Sequence, residues 1–65
     1  MKNIVSQTDG SIYFDDPENK WLGCEFHITE KGELCVAVSG DRMETFVLAP
    51  EDGIRLRIFL EEYGF

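Results

Sequence analysis

Sixty-five residues with thirteen acidic against six basic side chains, a formal net charge of −7, leave room for one domain whose small core buries only about 60% of the unfolded chain's surface. Two cysteines make at most one bridge, which excludes a disulfide-dense secreted scaffold, and the absence of a basic stripe argues against direct nucleic-acid binding. No stretch reaches the ~18 apolar residues of a membrane span, and the opening MKNIVSQTDG has no signal-peptide apolar run. The expectation is a soluble cytoplasmic protein with reduced thiols and no membrane contact.

The segment IVSQTDGSIYF reads as two short strands around Asp9-Gly10, a pair suited to the positive φ angles of a two-residue hairpin. DDPENK interrupts the pattern, since Pro17 lacks a donor and its neighbours favour turns. From Trp21 to Thr29 the alternation predicts a strand with Leu22, Cys24, Phe26 and Ile28 on one side and Trp21, Gly23, Glu25 and His27 on the other.

Glu30-Lys31-Gly32 reads as a three-residue loop with Gly32 in the left-handed position. That register sets Ile28 opposite Leu34, Phe26 opposite Val36 and Cys24 opposite Val38, three apolar pairs on one face; a slip of one residue would turn one set outward. The turn SGDR permits two registers. A three-residue loop pairs Val36 with Phe46 and Leu34 with Leu48, whereas a two-residue loop turns Met43, Thr45 and Val47 inward; the first buries larger side chains and is preferred.

Pro50 suits the first turn of a closing helix over about residues 50–63, and Glu51 and Asp52 place negative charge at its positive end. Ala49 is a weak N-cap. Gly64 fits the left-handed position after the last turn, with Phe65 folding back on Leu60. Leu56, Phe59, Leu60 and Tyr63 form one apolar stripe at helical spacing, while Ile54 and Ile58 lie on the opposite side. The fold class expected is α+β: a single domain over residues 1–65, an antiparallel meander of four to five short strands with the helix packed on one face.

A helix of this length covers one sheet face and leaves the other open. On that second face the pattern gathers Trp21, His27, Cys35 and Ala37, with Met43 and Val47, more apolar than a solvated surface requires. Together with Ile54 and Ile58 on the outer side of the helix, these are the candidate partner-binding residues. The acidity supplies two further candidate clusters, Asp15, Asp16 and Glu18, and Glu25, Glu30 and Glu33, suited to a basic groove on another protein.

Catalytic motifs are missing: there is no phosphate-binding glycine loop, no GxSxG, no HExxH and no paired CxxC. Cys24 and His27, three apart on a strand, point to opposite faces and do not share a metal ion. His27 and Cys35 fall opposite each other but lack a third orienting group. Ser6, Ser11 and Ser39 sit at turn margins and fit turn chemistry, and the acidic loop lacks calcium-loop spacing.

Neither cofactor nor metal is therefore expected. The reading is a non-enzymatic protein-interaction module, in its narrower form an acidic inhibitor that occupies a nucleic-acid-binding surface of another protein, of the kind compact viral or mobile-element genes supply. The alternative is a self-associating accessory domain, a homodimer through the open sheet face.

Overall fold

The computed structural model describes residues 2–40 and 42–65. Five strands, β1 (Ile4–Thr8), β2 (Ser11–Asp15), β3 (Gly23–Ile28), β4 (Leu34–Ser39) and β5 (Glu44–Leu48), precede one helix, α1 (Pro50–Glu62). The strands form one sheet in the order β1-β2-β3-β4-β5, every neighbouring pair antiparallel.

Turn chemistry sets the registers. Thr8 pairs with Ser11 and leaves Asp9-Gly10 as the connection, with Gly10 at φ 78°, where a side chain would be strained. The β3–β4 loop is closed by Thr29 and Glu33: the Thr29 amide donates to the Glu33 carbonyl at 2.9 Å, and the Glu33 amide donates to Thr29 Oγ1 at 3.1 Å. Gly32, at φ 80°, completes the three-residue loop. The expected pairs Ile28–Leu34, Phe26–Val36 and Cys24–Val38 follow. The β4–β5 register is the preferred one, Val36 opposite Phe46 and Leu34 opposite Leu48; Asp41 lies outside the described residues.

The third strand is shorter than its alternation suggests. Asn19 intervenes: its side-chain Oδ1 accepts from the Trp21 amide at 3.1 Å, and its carbonyl accepts from the Leu22 amide at 3.0 Å. This turn holds Trp21 and Leu22 out of the ladder, so β3 starts at Gly23.

The helix begins where Pro50 dictates. Ala49 is extended (φ −61°, ψ 160°), makes no side-chain cap, and is held there by the proline that follows it. At the far end the Phe65 amide donates to the Leu60 carbonyl and the Gly64 amide to the Glu61 carbonyl, both at 3.1 Å, with Gly64 at φ 88°. This is the paired bonding of a Schellman end.

What the chain lacks is a closed core. Among the described residues only Gly23 is buried, and no hydrophobic side chain is. The accessible surface is 5576 Å², against about 4,250 Å² for a folded monomer of this mass. The radius of gyration is 12.8 Å, where a closed domain of this length has about 10.7 Å. The helix lies beside β5, and its expected inner stripe stays open, with Phe59 54% and Tyr63 71% exposed.

Candidate interaction surfaces

The registers sort the strand residues onto two unequal faces. On the first, Val5, Phe14, Cys24, Val38 and Glu44 form one row and Gln7, Ile12, Phe26, Val36 and Phe46 the next, ending in Ile28, Leu34 and Leu48. Phe14 and Phe26 meet edge-to-face at 6.0 Å between ring centroids, a favoured aromatic geometry. The one charged side chain in these rows, Glu44, is at the edge, 3.5 Å from Arg42. Phe46 is 65% exposed.

Two apolar clefts border this face. One, of about 270 Å³, is lined by Asn3, Phe14, Asp16, Leu22, Gly23, Cys24 and Val38. The other, of about 380 Å³, separates Leu34 from the helix residues Gly53, Leu56, Arg57, Leu60 and Glu61, with Phe65 at its edge. The helix thus diverges from the sheet. Its stripe is partly covered at Leu56 and open at Phe59, Leu60 and Tyr63, where the Phe59 and Tyr63 rings meet at a tilt of 51° with centroids 5.1 Å apart.

The second face is mixed. Its rows read Ile4, Asp15, Gly23 and Ser39; Ser6, Tyr13, Glu25, Ala37 and Thr45; Thr8, Ser11, His27, Cys35 and Val47. Of the candidate residues, His27, Cys35 and Val47 come together as cross-strand neighbours in one row. Met43 lies apart, in a groove of about 200 Å³ with Tyr13, Glu25, Ala37 and Ser39. Trp21 belongs to neither group, being in the turn before β3, 73% exposed, with Lys20 Nζ 5.4 Å above its ring. Ile54 and Ile58 are both exposed on the helix.

Ser11, at the margin of the Asp9-Gly10 turn, also reaches the histidine: its Oγ lies 2.6 Å from His27 Nδ1, because Ser11 and His27 are paired across β2 and β3. Ser11, His27 and Cys35 therefore stand in line on three adjacent strands. The row lines none of the three clefts, and among the described residues no carboxylate is hydrogen-bonded to the imidazole to act as the third member of a nucleophile–base–orienter set. Cys24 lies on the opposite face from His27 and Cys35, and among the described residues no three Cys, His, Asp or Glu side chains cluster as a metal site.

The acidic candidates are scattered. Asp15 ends β2, and Asp16 and Glu18 follow in a turn where Asp16 Oδ1 accepts from the Glu18 amide at 2.9 Å. Glu30 and Glu33 lie at the opposite end of the sheet, in the β3–β4 loop, where Thr29 Oγ1 donates to Glu33 Oε1 at 3.2 Å. Glu25 is mid-strand on the mixed face. Among the described residues the ion pairs are Arg42–Glu44, Arg55–Asp52 and Arg57–Glu61, all exposed, which leaves most of the acidity unneutralised. No helix among them is long and apolar enough to cross a membrane.

The side chains that the sequence pattern assigned to the interior but that lie exposed are Val38 and Phe46 on the sheet and Phe59, Leu60 and Tyr63 on the helix. The signal was present in the linker. A single residue, Ala49, joins β5 to Pro50, where strand–helix connections usually take two to six. Comparison with family models, with curated proteins and with solved structures gives no match for this chain.

Proposed function

We propose that this chain is a non-enzymatic protein-interaction module whose binding surface is the apolar sheet face together with the open stripe of α1. The observation that carries this reading is the coexistence of a complete strand ladder with no buried hydrophobic side chain among the described residues. Contiguous exposed apolar surface of this kind marks interaction sites, and the strand rows of this face carry no charged side chain but Glu44 at the edge, as charge-depleted interface cores do. In the bound state α1 packs on an apolar sheet face, as its amphipathic spacing requires.

Hydroxyl-radical footprinting in a lysate of the producing cells tests the proposal. Phe46, Phe59 and Tyr63 are expected to be protected while Met43 and Trp21 are labelled. Strong labelling of Phe46, Phe59 and Tyr63 would sink it.

A narrower reading, an acidic inhibitor of a nucleic-acid-handling protein, is supported by the net charge of −7 and by acids beyond the reach of the ion pairs described. Such binding weakens steeply with salt, because field complementarity between exposed charges is screened. Charge reversal at Asp15, Asp16 and Glu18, or at Glu25, Glu30 and Glu33, weakens it as well. Affinity for the target that is equal at low and high salt excludes this version and leaves the apolar surface as the binding site.

A further inference from the structure

We infer that the partner which closes the apolar face is a second copy of this chain, the helix of each copy lying on the sheet face of the other about a two-fold axis. This rests on the reading of that face as a protein-binding surface and identifies its occupant.

Area gives the first ground. The surface of 5576 Å² exceeds that of a closed monomer by roughly 1,300 Å². Covering that excess on two copies buries roughly 2,600 Å² in total, within the range of obligate homodimers and above that of weak transient encounters.

The second is availability. A module that waits for a foreign protein has to persist folded by itself, and a chain with no buried hydrophobic side chain among the described residues has little to hold it. Another copy is the partner always present when the chain folds, and such dimers have no stable folded monomer.

The third is complementarity. The chain displays both halves of a helix-on-sheet layer, an apolar sheet face and an apolar helix stripe, yet the extended Ala49 before Pro50 turns the helix aside instead of folding it over. Exchange between two copies satisfies both halves with one self-complementary contact.

Charge agrees with this choice of face. Two chains of net charge −7 repel, but the strand positions of the apolar face carry no carboxylate except Glu44, already beside Arg42. Asp15 and Glu25 lie in the rows of the other face. The strand rows of the apolar face therefore bring the fewest like charges together, the nearest carboxylates being Asp16 and Glu61 in the bordering clefts, the latter 3.8 Å from Arg57.

Sedimentation velocity of the purified chain, with binding of a dye that reports exposed apolar surface, tests the inference. The expected result is a species of twice the 7.5 kDa chain mass that binds little dye, with Tm rising over a ~100-fold increase in concentration. Leu60→Asp is expected to abolish the dimer; because it can also prevent folding, Val38→Lys, on the sheet face, provides the second variant and is expected to lower dimer affinity at least tenfold. A monomer that binds dye strongly overturns the second-copy inference and leaves the interaction surface standing for a foreign partner. A monomer that binds no dye and unfolds cooperatively at a concentration-independent Tm overturns both. A dimer unaffected by either variant, or one that buries His27 and Cys35, overturns the choice of face.

Discussion

The β3–β4 hairpin and the helix α1 satisfy their needs differently. In the hairpin, backbone groups pair across adjacent strands, Gly32 turns the chain in a conformation costly to other residues, and the Thr29–Glu33 contacts close the loop. The turn and the backbone pairing between the two strands are satisfied within seventeen residues, from Gly23 to Ser39, while the outer edges pair with β2 and β5. The helix also pairs its backbone locally, through Pro50 at the start and a Schellman end at Gly64, but its side chains do not find cover. Local hydrogen bonding settles secondary structure; burial of an amphipathic helix depends on where its connection lets it go.

That contrast can be broken most directly at Phe46. If the 65% exposed ring met only water, Phe46→Ala would change stability by no more than about 0.5 kcal/mol, as surface substitutions do. Covered by a partner it costs about 3 kcal/mol, the value for a large side chain in a core. Chemical denaturation at a concentration where the assembly forms distinguishes the two.

The hairpin half responds to Gly32→Val, which forces a β-branched residue to φ 80°; a loss of about 1–2 kcal/mol is expected by thermal melting. Ala49→Ser works in the other direction. It adds a side-chain acceptor at a helix start that has none and raises stability by about 1 kcal/mol, leaving the strand register unchanged by amide chemical shifts.

Smaller effects separate the surfaces by charge and chemistry. Added salt screens repulsion between two acidic chains, so self-association tightens by a few-fold, measured by sedimentation equilibrium, whereas docking into a basic groove loosens. The His27→Ala, Cys35→Ala double variant leaves assembly mass and partner binding unchanged. A loss of biological function with fold and assembly intact would instead assign chemistry to the Ser11–His27–Cys35 row.

Much of the meander was legible because its signals are local and redundant. Asp9-Gly10 and Gly32 mark tight turns, and the apolar pairing of Cys24, Phe26 and Ile28 with Val38, Val36 and Leu34 admits one register. Helix limits were equally readable, since Pro50 and Gly64 punctuate both ends. Trp21 escaped because alternation alone does not reveal that the Asn19 side chain will compete for its amide. The Ser11–His27 contact follows from pairing β2 with β3, a register the turn between them does not specify. The exposure of the helix stripe was not legible for a related reason: the stripe pattern states that a helix needs an apolar neighbour, not that the neighbour belongs to the same chain.

The most direct test is an isotope-filtered NOE measurement on a mixture of labelled and unlabelled chains. Contacts between the Tyr63 or Phe59 ring on one copy and the Val38 methyls or Phe46 ring on the other are expected across the labelled–unlabelled boundary. The same contacts found only within a single chain, with α1 folded over its own sheet in a monomer, would contradict the account.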